Sequence, residues 1–304
     1  MQLPDSFYAS RRLIDLVENQ TSYELTDSAL HIFETHAKAE RVELRFGTPV
    51  LASMFKGKKI MHLRNRNSFD FLPGESLILP ANELMCIDFP EARRDNPTQC
   101  LAMEIAEDRI QNVIQVMNEK MTKADGAEWC LMDYNFHFTN DPGIYQILRR
   151  LVYLYTENHP SKDFFVSNML HELVVRILQA NSRKTYQNQA KKLSGSHRFA
   201  FVVQYIRENL GANITIEELS EKACMSKSNF HKVFRNEFGI SPVDFINNER
   251  ILRASQMLQD SRYCITEIFL TCGFKNRSYF NRMFKRLRGM SPKTYQDRFL
   301  HTNA

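Results

Sequence analysis

The chain has 304 residues, 43% apolar and 25% charged, with six cysteines and a formal net charge of +5. That length predicts about two domains with separate cores, and no apolar run approaches the ~20 residues that a membrane span needs. The opening residues, Met1-Gln2-Leu3-Pro4-Asp5, lack the basic flank and apolar stretch of a signal peptide. Cys86, Cys100, Cys130, Cys224, Cys264 and Cys272 show no metal-like spacing, so free thiols in a reducing cytoplasm are expected.

The charge is unevenly spread. From Ala190 onward there are 19 Lys and Arg against 10 Asp and Glu, whereas the preceding 189 residues hold 21 against 25. A basic final third behind a mildly acidic front predicts a polyanion-binding module joined to a near-neutral body.

In chain order, residues 7–20 read as an amphipathic helix carrying Leu13, Ile14, Leu16 and Val17. From about Tyr23 to Ala106 the pattern becomes short apolar or alternating runs at 29–33, 50–55, 60–63, 69–72, 76–79 and 101–105. Turn signals such as Gly47-Thr48-Pro49, Lys56-Gly57-Lys58 and Pro73-Gly74-Glu75 separate them. Many short strands divided by turns predict a β-sandwich or small barrel. Helical periodicity follows in Ile110, Val113, Ile114 and Met117, and the aromatic-rich run 129–138 returns towards the sheet. Asn140-Asp141-Pro142 opens a helix through Tyr155, and a further apolar stripe runs from Phe165 to Leu178. These two broad stripes predict either closure of the N-terminal core or a dimer seam. Residues 181–196 are polar and without apolar periodicity. They place a linker at 186–196, between a first domain at 1–185 and a second at 197–304.

The second domain contains one pattern written twice. Ser228-Asn229-Phe230-His231-Lys232-Val233-Phe234-Arg235 precedes Gly239-Ile240-Ser241-Pro242. Fifty positions on, Ser278-Tyr279-Phe280-Asn281-Arg282-Met283-Phe284-Lys285 precedes Gly289-Met290-Ser291-Pro292. In each copy the apolar side chains share one helical face and the basic and amide side chains share the other. A helix beginning near Thr215, a short turn at Cys224-Met225 and an N-cap at Ser226 make the first copy a helix-turn-helix. Ile265 to the helix from Arg277 makes the second. The helix predicted between them, from Ser241-Pro242 to about Asp260, would span about 28 Å at ~1.5 Å per residue. That is near the ~34 Å separating successive major grooves on one face of B-DNA.

On these residues the stretch 197–299 resembles the DNA-binding domain of the AraC/XylS family of bacterial transcription regulators. The motifs that carry the resemblance are Ile216-x-x-Leu219, Met225-Ser226, Phe230-x-x-x-Phe234, Gly239-x-Ser241-Pro242 and Arg250-x-x-x-Ala254-x-x-x-Leu258. They continue in Ile265-x-x-Ile268, Gly273-Phe274, Ser278-Tyr279-Phe280-x-x-x-Phe284-Lys285 and Gly289-x-Ser291-Pro292-x-x-Tyr295. The stretch from Phe71 to Pro80 resembles the strand-turn-strand of cupin-like barrels. The resemblance implies an α+β protein: a cupin-like β-barrel or sandwich with a helical dimerisation region, then an all-α, seven-helix, double helix-turn-helix domain. Two departures stand out, Cys224 where the first turn often has glycine and Phe269 where the second motif usually has a small residue.

The resemblance also implies a regulator, expected to activate, that binds promoter double-stranded DNA. A homodimer, RNA polymerase and a small-molecule effector are its expected partners, and no membrane is. Matched onto the family pattern, Ser228, His231, Lys232 and Arg235 face DNA from the first recognition helix, and Arg277, Ser278, Asn281 and Arg282 from the second. Arginine can bond guanine O6 and N7 together, asparagine adenine N6 and N7, and lysine or serine bases or phosphates. Other readings are a regulator whose front domain only dimerises, or a metal-dependent cupin enzyme fused to a DNA-binding module. His31, His36 and His62 show no His-x-His spacing, and His171-Glu172 does not begin a His-Glu-x-x-His motif. No catalytic residue, metal ligand or cofactor is therefore assigned, and an enzyme is not expected.

Overall fold

The computed structural model describes residues 3–64, 67–131, 136–193, 197–260 and 262–300. The chain divides into two compact units, one of residues 1–120 and 129–178, the other of residues 121–128 and 179–304.

The first unit opens with α1 (Asp5–Ser10) and the strands β1 (Asn19–Leu25), β2 (Ser28–Thr35), β3 (Ala39–Leu44), β4 (Val50–Lys56) and β5 (Lys59–His62). It continues with β6 (Phe69–Phe71), β7 (Glu75–Leu79), β8 (Met85–Phe89) and β9 (Thr98–Ile105). Then come α2 (Glu107–Lys120), β10 (Phe136–Thr139), α3 (Pro142–Thr156) and α4 (Lys162–Leu193), of which residues 179–193 belong to the second unit. A six-stranded sheet is ordered β1-β2-β9-β4-β7-β10 and a four-stranded sheet β3-β8-β5-β6, with antiparallel pairing throughout. Alternation along the strands sends Phe33, Ala52, Met54, Leu77 and Ala102 of the larger sheet against Met61, Phe71, Ile87 and Phe89 of the smaller. The sandwich predicted from turn-separated runs is therefore present. The sequence left out β1, β3 and β8. β3 is an edge strand, half of its residues charged, whose register shifts between Ala39 and Val42.

Residues 7–20 do not form one helix. α1 ends at Ser10, and Asn19 Oδ1 accepts from the backbone N–H groups of Ile14 and Asp15, at 2.9 and 3.3 Å, fixing a non-helical turn. Ile14 is consequently 82% exposed, and Leu13 and Leu16 are exposed with it. The two apolar stripes close the core of the first unit. Ile144, Ile147, Leu148, Leu151 and Val152 of α3 and Leu170, Leu173, Val174, Ile177 and Leu178 of α4 are buried within it. Tyr153, Phe164 and Phe165 remain exposed.

The stretch read as a linker is a correction. Residues 181–193 continue α4 as helix. No glycine or proline interrupts 162–193, and Tyr186 and Ala190, an i,i+4 pair, are buried in the core of the second unit. Three apolar residues, Tyr186, Ala190 and Leu193, in a polar run of thirteen were too sparse to register as periodicity.

The second unit adds α5 (Arg198–Glu208), α6 (Ile216–Lys222), α7 (Lys227–Phe238), α8 (Pro242–Met257), α9 (Ile265–Thr271), α10 (Arg277–Arg288) and α11 (Pro292–Leu300). It has two cores. Phe199, Phe230, Phe234, Phe238 and Phe245 pack together in the first, and Ile268, Phe269, Phe274, Phe280 and Phe284 in the second. Phe269 is accommodated, with its ring 6.1 Å from that of Phe280.

Candidate nucleic-acid interface

Each helix-turn-helix is fixed by capping chemistry that the sequence carries openly. Thr215 caps α6 by accepting from Glu218 N, and Ser226 caps α7 by accepting from Asn229 N. In the second copy Cys264 and Glu267 form a capping box on α9, and Asn276 Oδ1 accepts from Tyr279 N to start α10. The turns close identically. Cys224 N donates to Glu221 O and Met225 N to Ser220 O, as Gly273 N does to Leu270 O and Phe274 N to Phe269 O. Both recognition helices end on a left-handed glycine, Gly239 at φ 72 and Gly289 at φ 74.

α8 joins the two motifs. Ser241 and Pro242 start it, and Ser241 Oγ both accepts from Asp244 N and donates to Asp244 Oδ2. Its first half, Phe245 and Ile246, belongs to the first core, and Ile251, Ala254 and Leu258 at its far end belong to the second. Asn247 ties it to α10 by donating to the Tyr279 hydroxyl at 3.0 Å, and Arg250 donates to the carbonyls of Leu210 and Ala212. The helix has 16 residues, fewer than the sequence implied, so its axis spans about 24 Å.

All eight residues expected to face DNA are exposed: Ser228, His231, Lys232 and Arg235 on α7, and Arg277, Ser278, Asn281 and Arg282 on α10. Opposite them on the same helices Phe230, Phe234, Phe280, Met283 and Phe284 are buried, and Val233 is half-buried. Among the described residues Lys232, Arg235, Arg277 and Arg282 lie in no ion pair, whereas neighbouring Lys227 pairs with Glu217 and Arg286 with Asp244. The Arg282 guanidinium sits over the Tyr279 ring at 5.3 Å, which aims it along the helix face. Lys285, which recurs in the repeat as a charge, is exposed one turn further on and extends the same basic face.

Among its described residues the first unit offers no comparable convergence. His31 is bonded to Glu104 at 2.8 Å and His62 to Asp88 at 2.7 Å, and among the described residues no three His, Cys, Asp or Glu side chains are placed to hold a metal ion. Burial and a 2.9 Å contact join Lys59 to the Cys100 thiol, with Glu18 3.1 Å from the ammonium. Desolvation pushes the Cys100 thiol up, which keeps it protonated and unreactive. A small apolar cavity of about 20 Å³ lies among Val50, Leu51, Ile78, Ile110, Val174 and Ile177. No helix among the described residues is long and apolar enough to cross a membrane.

A two-sheet sandwich followed by a helical unit with two basic recognition helices defines a two-part DNA-binding regulator. Residues 28–185 match the family described as AraC-type transcriptional regulator N-terminus, and residues 219–298 match a helix-turn-helix domain. The chain belongs to the AraC-type transcriptional regulators. It is 26% identical over 162 residues to a protein described as the probable transcriptional regulator LumQ of Photobacterium leiognathi, covering 53% of this chain and 63% of LumQ. It is 28% identical over 135 residues to the arabinose operon regulatory protein of Escherichia coli (strain K12), covering 44% of each. The chain thus spans about half the length of the curated relatives it matches. Among solved structures, the DNA-binding domain of AdpA in complex with a target DNA shares 30% identity at a TM-score of 0.34, covering 35% of this chain and 96% of that one.

Proposed function

We propose that the chain activates transcription by placing α7 and α10 in neighbouring major grooves of promoter DNA. The supporting observation is the pair of exposed faces, each with basic groups that lie in no ion pair among the described residues, carried on separate cores that α8 joins. Ser228, His231, Lys232 and Arg235 read one half-site, and Arg277, Ser278, Asn281 and Arg282 read the other. The N-termini of α7 and α10, at Ser226 and Asn276, offer backbone N–H groups to phosphate. The two sets differ in chemistry, so the half-sites differ in sequence. Selection of duplexes from a random library, followed by footprinting, tests this. Two unlike protected half-sites about one helical turn apart are expected, and a perfectly palindromic site for one monomer would reject the assignment.

The first unit serves regulation in this reading rather than catalysis, and the protein acts in the cytoplasm. It pairs two copies, supported by the exposed Tyr153, Phe164 and Phe165, and the DNA-bound dimer recruits RNA polymerase. Control by a small apolar effector is consistent with the cavity among Val50, Ile78 and Val174, which must open to admit a metabolite. A unit that only dimerises is the competing reading, and the close-packed space between the two sheets favours it. A thermal-shift screen of candidate metabolites separates the two, since a metabolite that binds the folded state raises the melting temperature.

A further inference from the structure

Three consecutive residues at the C-terminal end of α7 are held from outside both helix-turn-helix motifs. The Asn236 carbonyl accepts from Gln179 Nε2 at 2.8 Å, and the Phe238 carbonyl accepts from Arg183 Nη1 at 2.7 Å. Between them the Glu237 carboxylate accepts from the Ala124 backbone N–H, also at 2.8 Å. A helix leaves its last carbonyls unsatisfied and its C-terminal end partly negative. Gln179 and Arg183 satisfy two of those carbonyls, and Arg183 adds the opposite charge. Gln179 also fills the space over Gly239, where a Cβ would come within 2.7 Å of its Oε1. The 121–128 segment is anchored in turn by Asp125, which lies 3.0 Å from the His197 ring and accepts from Arg198 N at 3.4 Å. Tyr186, one turn beyond Arg183 on α4, packs edge-on against Phe238 with ring centroids 5.4 Å apart.

The internal repeat supplies the control. α10 ends on the same left-handed glycine with the same N–H to carbonyl bond, Gly289 to Lys285. Among the described residues, however, the space over Gly289 is open, and the basic groups of its last turn, Lys285, Arg286 and Arg288, are its own.

We propose that Gln179, Arg183 and the Ala124–Glu237 bond form a clamp that sets the first reader, α7, independently of the second. The proposal rests on the reading of α7 and α10 as DNA readers. None of the clamp residues lies on the outward face of α7. They are positioning residues that act through the backbone one to three residues beyond Arg235, and so through the direction in which His231, Lys232 and Arg235 project. Displacing either the 121–128 segment or this part of α4 therefore releases one half-site and leaves the other read.

The test uses the full chain and the duplex that the wild-type protein selects. Affinities are measured for that duplex and for versions altered in one half-site at a time. Wild type is expected to lose about tenfold from an alteration in either half. The double variant Gln179→Ala, Arg183→Ala is expected to lose less than about twofold from alterations in the α7 half while still losing about tenfold in the α10 half. Arg183→Lys alone, which keeps a donor and the charge, should restore sensitivity to the α7 half. Sensitivity retained in both halves, or lost in both, makes these residues general scaffolding and overturns the clamp. A wild-type protein that selects no duplex rejects the underlying DNA reading, and the clamp with it.

Discussion

Cys224 and Gly273 hold the same turn position in the two helix-turn-helix motifs, and both adopt left-handed backbones, at φ 54 and φ 80. The shared hydrogen bonds across the two turns demand that conformation, which glycine adopts freely and a residue with a Cβ adopts only at a cost of about 1–2 kcal/mol. Cys224 is exposed, so its side chain meets open solvent. A Cβ at position 273 would run into the Leu210 carbonyl oxygen that Arg250 holds. Replacing Cys224 with glycine should therefore raise stability by about 0.5–1 kcal/mol. Gly273→Ala, which adds a steric clash to the same strain, should lower it by about 2 kcal/mol or more. Urea unfolding of the full chain, followed by circular dichroism, measures both. An unchanged Cys224→Gly midpoint would mean that the first turn bears no strain.

Arg282→Ala is expected to weaken binding to the selected duplex by about 1–3 kcal/mol and to relax base preference at one position. Lys232→Ala should weaken binding to all sequences alike and reduce the slope of affinity against salt by about one counterion. Titrations at several salt concentrations, on the selected and a scrambled duplex, distinguish base reading from phosphate contact.

Burial pushes the Glu237 carboxyl up from its ordinary value, despite the N–H donated by Ala124. Glu249 is raised for the same reason, its burial outweighing Arg207. A carboxyl with a raised pKa in the folded protein binds its proton more tightly there than in the unfolded chain. Its contribution is therefore complete at low pH and is lost as pH rises through the ordinary carboxylate range to the raised value, at up to about 1.4 kcal/mol per pH unit. Glu237→Gln removes one such loss. Relative to wild type, the variant should gain stability as pH rises above the ordinary carboxylate range. A constant difference over that rise would show that the carboxyl titrates normally.

Phe164, 66% exposed beside Phe165 at a ring separation of 6.1 Å, adjoins the start of the α4 apolar stripe and is not buried by the first unit. If two copies pair through it, Phe164→Glu should give a monomer in sedimentation velocity at concentrations where wild type is dimeric. Its melting temperature should change by only a degree or two, because the side chain is exposed in the single chain. A variant that stays dimeric would move the seam elsewhere.

The motifs of the second unit were legible because each rests on local chemistry: a capping side chain, a glycine after the helix, and aromatics three or four residues apart. Seven helices follow residue 197 among the described residues, as the resemblance implied. Failures came where a few distant contacts overruled local pattern. Leu13, Ile14 and Leu16 have helical spacing, but Asn19 captures the N–H groups that a helix would need. The polar run 181–193 lacks a stripe, yet Tyr186 and Ala190 seat it in the core of the second unit. Gln179 and Arg183 were invisible as positioning groups because their acceptors, Asn236 and Phe238, lie 57 and 55 residues away. Among the eight residues expected to face DNA, the helix face was legible throughout, since burial of Phe230, Phe234, Phe280 and Phe284 fixes what points outward.

Because residues 121–128 belong to the same compact unit as residues 179–304, the DNA-binding part of this protein is discontinuous in sequence. A chimera joined at residue 197 would graft α7 without its caps. One joined at residue 179 would carry Gln179 and Arg183 but leave Ala124 with the donor of the front half. No single crossover transfers the unit whole, so exchange of front and back halves with a relative must match two separate stretches before both readers survive the transfer.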